Sequence, residues 1–185
     1  MTRRPATAGL LVLALVLLAG CAGLPAISGT GDPTPAIDHE VAVVEVVDGD
    51  TIEVRMPDGD RETVRLLGVD TPETYADTDS AEFEGVPDTE AGRACLRAAG
   101  ENATTFVEER LADGTVRLRT DPTADRRGDY GRLLGYVTVD GESLNRALLE
   151  RGHARLYDTE YERRDEFAAT EGRALAAGRG LWACR

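Results

Sequence analysis

Three short apolar runs joined by tight turns, a capped helix, two further apolar runs and two closing helices, in that order, predict an α+β protein. Five short strands with a helix after the third fit a five-stranded OB-type β-barrel carrying three helices. A plain α+β sandwich is the alternative assembly of the same pieces.

Each element has its own signal. Val41 to Val47 is a strand-like apolar run, and Ile52, Val54 and Met56 alternate with polar residues as a second strand. Asp48-Gly49-Asp50-Thr51 joins them as a tight turn, and Pro57-Asp58-Gly59-Asp60 leads into a third strand over Glu62–Val69. Residues 75–88 read as an acidic, irregular loop. Thr89 is placed to cap a helix running to about Leu111, with Glu90 in its first turn and Gly100 as a break or kink. Val116–Arg119 and Leu133–Val139 are two more strands, separated by the loop DPTADRRGDYGR. Ser143–Arg151 forms a helix stopped by Gly152. A last helix runs from about Glu160 to Ala177, with Tyr161, Ala168 and Leu175 recurring every seventh residue, and Leu181-Trp182 folds back on the core.

The N-terminus reads as address, not fold. Arg3 and Arg4 precede an apolar run from Gly9 to Ala19 and then Leu18-Ala19-Gly20-Cys21, the pattern of a secretory signal. The Leu-Ala-Gly-Cys end resembles a lipobox, which makes Cys21 the lipidated mature N-terminus; an ordinary secretory signal is the alternative. The arginine pair is a weak match to a twin-arginine export signal. Residues 22–37, rich in Gly, Pro, Ser and Thr, read as a flexible linker. The expected organisation is thus 1–21 signal with lipobox, 22–37 linker and 38–185 folded domain, exported and lipid-anchored to the membrane at the cell surface, or secreted.

All 21 basic residues are arginine, and the 34 acidic ones leave a formal net charge of −13. A lysine-free acidic chain looks halophilic, although a GC-rich genome also favours arginine. At about 1 M salt the Debye length is only ~3 Å, so the global charge is screened and close contacts decide binding. With Cys21 lipidated, Cys95 and Cys184 remain; an exported pair can form a disulfide or stay as two thiols. Neither the cysteines nor His39 and His153 have metal-ligand spacing, which argues against zinc.

The chemistry concentrates in two stretches. In VRLLGVDTPET, Arg65 interrupts a dry strand and Asp70 and Glu73 close it. Asp50, leaving the first turn, can meet Asp70 at one sheet edge; Asp48 is the other carboxylate of that turn. Thr71 precedes Pro72, which holds its backbone extended and its carbonyl in a fixed direction. Carboxylates, a carbonyl and water suit a hard cation such as Ca²⁺. A plain hairpin for Asp-Gly-Asp-Thr and a snorkelling strand-edge arginine for Arg65 are the bland readings of each taken alone. Glu73 is placed to orient or deprotonate a water, but an ordinary Glu is a weak base and needs help from the electrophile. Arg65, and Arg132 in the second stretch DYGR, supply it, because guanidinium forks onto phosphate oxygens. Together these residues define phosphoryl chemistry.

The pieces VVDGDTIEV, VRLLGVDTPET, DYGRLLGYV, SLNRALLERGHAR and GRGLW resemble the staphylococcal nuclease (thermonuclease) family over about Val41 to Trp182. The resemblance implies an OB barrel with helices and hydrolysis of DNA and RNA phosphodiesters leaving 3′-phosphates. It implies Ca²⁺ at Asp50, Asp70 and the Thr71 carbonyl, Glu73 as general base, and Arg65 and Arg132 on the scissile phosphate. Tyr130 matches an aromatic of the nucleotide pocket, Tyr157 matches a pocket tyrosine loosely, and Asn145 matches a structural asparagine. Asp129 stands where the family has a basic residue, and residues 75–100 are longer and more acidic than in the type enzyme. The resulting expectation is a monomeric nuclease; a non-catalytic OB module binding nucleic acid or protein, and a Ca²⁺-binding surface protein, are the competing readings. Asn102-Ala103-Thr104 is a glycosylation sequon that can equally arise by chance.

Overall fold

The structure, a computed structural model, describes residues 36–74 and 78–185. The signal, Cys21 and most of the linker lie outside the described residues.

A meander opens the domain: β1 (Asp38–Val46), β2 (Thr51–Arg55) and β3 (Arg61–Leu66) pair antiparallel in sequence. β1 also pairs β5 (Val116–Arg119), and β5 pairs β6 (Leu133–Val139), which pairs the short β7 (Glu142–Ser143) as well. β6 then runs parallel to β3, so the five strands close on themselves as an OB-type barrel. β1 serves two neighbours by bending at an irregularity between Val43 and Glu45: Asp38–Val41 face β5 and Ala42–Val46 face β2. The barrel is filled by Ile52, Val54, Val64, Leu118, Leu133 and Val137, none of them exposed. Closure leaves no unpaired edge among these strands.

The third strand stops earlier than its apolar run predicts. It ends at Leu66, turns at Leu67-Gly68, and resumes as β4 (Val69–Asp70), which pairs with β8 (Arg155–Leu156) instead. Gly68 has φ +76, and a Cβ there would sit 2.5 Å from the Tyr161 ring, so the turn needs glycine on both counts. Hydropathy reads this stretch as continuous because both halves are buried; the change of partner is invisible to it.

Helix α1 (Glu90–Leu111) is capped by Thr89, whose hydroxyl accepts from the Gly92 N–H. It does not break at Gly100. A Cβ there would meet the Pro72 carbonyl oxygen at 2.3 Å, so the missing side chain lets the 71–74 segment lie against the helix. Helix α2 (Leu144–Arg151) is capped by Ser143 and stopped by Gly152. The buried Asn145 accepts from the Val137 N–H at 2.9 Å and donates to the Leu67 carbonyl at 2.9 Å, tying α2 to β6 and to the end of β3.

The last helix, α3 (Arg164–Ala176), starts later than the seven-residue spacing predicts, and its buried face is Phe167, Thr170 and Ala174 rather than Ala168 and Leu175. Thr170 masks the stripe in sequence; it is buried because its hydroxyl donates to the Glu166 carbonyl at 2.8 Å. Residues 160–163 are held out of the helix: Tyr161 sits on Gly68, and the Glu162 N–H is taken by Asp121 at 2.9 Å.

From Thr78 onward the acidic loop is less irregular than its composition suggests. Ser80–Glu82 form a 3₁₀ turn, and Phe83 and Val86 enter a second core with Leu96, Ala99, Ala174, Leu181 and Trp182. A disulfide between Cys95 and Cys184, Cα atoms 5.8 Å apart, joins α1 to the C-terminal turn beside this core.

Candidate active site

Four pieces of chain meet at one rim of the barrel: the β1–β2 turn, the end of β3 with β4, the 71–74 segment and the residues before β6. In the β1–β2 turn the Asp48 carboxylate accepts from the Asp50 N–H at 3.1 Å. That turns Asp50 inward, where it is 2% exposed.

A buried carboxylate must be fully bonded. One Asp50 oxygen accepts from the Thr51 hydroxyl at 3.0 Å and pairs with Arg65 Nη1. The other accepts from the Thr71 N–H at 2.8 Å and from the Thr71 hydroxyl at 3.2 Å. Arg65 Nη2 pairs with Asp70 Oδ1 at 2.5 Å, so one guanidinium bridges Asp50 and Asp70. The other Asp70 oxygen pairs with Arg155 Nη2 at 2.7 Å. Arg155 is a site residue that the sequence reading passed over. Its signal was present: it lies in the quoted SLNRALLERGHAR segment, but only the β4–β8 pairing places it beside Asp70.

Glu73 projects at the surface of this cluster. Partial loss of hydration pushes its pKa up; the charges of Asp48 and Asp70 add to this, and Arg65 and Arg132 oppose it. Those four influences place Glu73 within electrostatic reach of both arginines. Asp48 is likewise pushed up by burial, against the pull of Arg65, Thr51 and Arg132.

Arg132 reaches the cluster from the turn before β6. Tyr130 and Gly131 take consecutive left-handed conformations, φ 63 and 73. The Arg132 guanidinium lies 5.8 Å from the Tyr130 ring centroid, and its buried Nε has no hydrogen-bond acceptor among the described residues. No carboxylate among the described residues forms an ion pair with it, unlike Arg65 and Arg155.

Arg65 and Arg132 open onto a cleft of about 600 Å³ that Arg127, Asp129, Tyr157 and Glu160 also line. Tyr157, 45% exposed, is part of that lining. Tyr130 is 96% exposed and lies outside this lining, touching the site through Arg132. The structure thus puts Asp50, Asp70, Thr71 and Arg65 in direct contact, Glu73 and Arg132 within electrostatic reach of them, Tyr157 on the adjoining cleft and Tyr130 outside its lining.

Among the described residues no group of three or more Asp, Glu, His or Cys is disposed to hold a metal. The donor chemistry nevertheless fits a hard cation. Asp50 and Asp70 lie within the span of a single guanidinium, and Asp48 adds a desolvated carboxylate beside them. Asp48, Asp50, Asp70 and Glu73 outnumber Arg65, Arg132 and Arg155 by one charge. Such a site would complete its oxygen shell with water and substrate.

Residues 63–184 match the family model described as staphylococcal nuclease homologue. The chain belongs to the staphylococcal nuclease family. It is 37% identical over 147 residues to an uncharacterized protein of Methanocaldococcus jannaschii, covering 76% of this chain and 70% of that one. It is 35% identical over 145 residues to the endonuclease YncB of Bacillus subtilis, covering 77% of this chain but only 61% of that protein's length. The thermonuclease of Staphylococcus hyicus is 31% identical over 149 residues, 80% of this chain and 78% of that protein. The matched region contains Arg65, Asp70, Glu73, Arg132 and Arg155 within one staphylococcal nuclease domain.

Proposed function

We propose that this staphylococcal nuclease homologue is an exported, Ca²⁺-dependent phosphodiesterase that cleaves DNA and RNA to 3′-phosphate and 5′-hydroxyl ends. The observation that carries the reading is the convergence of Glu73, Arg65 and Arg132 beside the Asp50–Asp70 pair.

In this mechanism Arg65 and Arg132 fork onto the non-bridging oxygens of one phosphodiester. Arg132, which has no carboxylate partner among the described residues, is the freer of the two to follow the phosphate. Glu73 accepts a proton from the water that attacks phosphorus, and its raised pKa makes it a better base than an ordinary glutamate. The bond from phosphorus to the 5′-oxygen breaks; that oxygen leaves on the Arg132 side, where the guanidinium N–H groups stabilise its charge, and it takes a proton from solvent water to become the alcohol. Ca²⁺, when held by Asp50, Asp70 and the Thr71 carbonyl, adds positive charge for the pentacoordinate phosphorus. Asp50 and Asp70 would then share their oxygens between that ion and the arginines they already bind.

Export and lipid anchoring at Cys21, the division into signal (1–21), linker (22–37) and folded domain (38–185), a halophilic origin and a monomeric state belong to the same proposal. The lysine-free acidic composition supports a high-salt setting, where screening lets an anionic protein meet an anionic polymer. The test is digestion of plasmid DNA and of RNA at low and multimolar salt, with Ca²⁺ or with chelator. Cleavage that requires the metal is the expected result. Nucleic-acid binding without cleavage would instead assign a non-catalytic OB module.

A further inference from the structure

The turn that delivers Arg132 is fastened from outside the cluster. Arg127 forks onto Glu62, Nη1 to Oε2 at 3.0 Å and Nη2 to Oε1 at 2.7 Å. The same Nη1 donates to the Gly131 carbonyl at 2.7 Å. Glu62 lies on β3, the strand that bears Arg65, and Gly131 immediately precedes Arg132. β3 and β6 pair in parallel from Val64↔Leu133 and Arg65↔Leu134, so both site arginines emerge at this seam. One guanidinium thus ties the strand carrying the first arginine to the turn carrying the second.

The turn needs such a tie. Tyr130 and Gly131 are consecutive left-handed residues, and for tyrosine that conformation is unfavourable. Packing does not hold it: the Tyr130 side chain is 96% exposed, and a Cβ at Gly131 would meet nothing within 4 Å. Backbone bonds from the Gly128 N–H to the Arg132 carbonyl at 3.0 Å and from the Gly131 N–H to the Gly128 carbonyl at 3.1 Å close the loop on itself. The Arg127–Glu62 fork carries it across to β3. Side-chain exposure of 45% for Arg127 and 26% for Glu62 means the pair adds little to global stability, whereas its two-pronged geometry fixes orientation.

We infer that the Glu62–Arg127 pair is a positioning device for Arg132, setting its spacing from Arg65 across the scissile phosphate. The inference rests on the nuclease reading above. Neither Glu62 nor Arg127 touches the reacting atoms in this role; they act through the Gly131 carbonyl.

The test compares wild type, Glu62→Gln, Arg127→Ala and the double variant by amide hydrogen exchange and by steady-state kinetics. The Gly128 and Gly131 amides should exchange about tenfold faster in all three variants, since each loses the tie. On DNA, kcat should fall about tenfold with KM within about twofold, because the arginine is misplaced rather than removed. The double variant should be no worse than either single one, as for two members of a single device. Thermal midpoints should stay within about 2 °C of wild type. Unchanged exchange at 128–132 would overturn the inference. So would a raised KM in Arg127→Ala with normal kinetics in Glu62→Gln, which would make Arg127 a direct substrate contact from its place in the cleft. A wild type that does not cleave would end the nuclease reading, and the exchange measurement alone would then decide whether the tie exists.

Discussion

Asp70 and Arg155 are register partners across the β4–β8 pair, and Arg155 Nη2 pairs with Asp70 Oδ2 at 2.7 Å while Arg65 holds Oδ1. The carboxylate is gripped from both sides. Arg155 itself is steadied by Glu82 at 3.5 Å and by the Phe83 ring, 5.4 Å from its guanidinium carbon.

Arg155→Ala therefore leaves one oxygen of a mostly buried carboxylate unpaired. It should cost about 2 kcal/mol of unfolding free energy in a urea titration. Breaking the exposed Arg93–Asp88 pair with Arg93→Ala should cost no more than about 0.5 kcal/mol. Equal effects would mean that the double grip on Asp70 has no structural weight.

Gly100→Ala sets two effects against each other. Alanine raises helix propensity by about 1 kcal/mol. Its Cβ, however, would meet the Pro72 carbonyl at 2.3 Å, one residue from Glu73. The clash should win, lowering both the thermal midpoint and nuclease activity. A higher midpoint with full activity would show that the 71–74 segment does not depend on this contact.

The Cys95–Cys184 bridge spans 89 residues and borders the second core. Reduction, or Cys184→Ser, should lower stability by about 2–4 kcal/mol. Trp182, the single tryptophan and 3% exposed, reports the transition by its emission. The red shift should come at lower urea without the bridge; coincident curves would contradict a stabilising role.

His153 stacks on Phe106 with ring centroids 4.9 Å apart; burial pushes its pKa down, and Arg151 adds to this. The folded state then binds fewer protons than the unfolded state between the two pKa values. Stability from this group is fully present above about pH 6.5 and is lost as pH falls below that value toward the folded pKa. Urea midpoints between about pH 5.5 and 7.5 should show the decline, and His153→Leu should flatten it. An identical slope in the variant would assign the decline elsewhere.

What the sequence disclosed, and what it withheld, follows from physics. The barrel strands were legible because period-two alternation and turn residues are local signals. Asp50, Arg65, Asp70, Glu73 and Arg132 were legible because polar groups inside or beside dry strands are conspicuous. Gly100 was misread since propensity sees the entropy of a glycine but not the carbonyl that needs its space. Arg155 and Arg127 were passed over because their partners lie 85 and 65 residues away, on strands whose pairing no local pattern encodes. Phe167 was missed because Thr170 interrupts its apolar face.

The most direct measurement is turnover of an end-labelled oligonucleotide at saturating Ca²⁺ by wild type and Glu73→Gln, with the product ends identified. Glutamine keeps the shape of Glu73 and removes its charge and with it the ability to take a proton. The account predicts 3′-phosphate and 5′-hydroxyl ends from the wild type and a rate lower by about 10²–10⁴-fold in the variant. Equal rates in the two proteins, or ends carrying a 5′-phosphate, would contradict it.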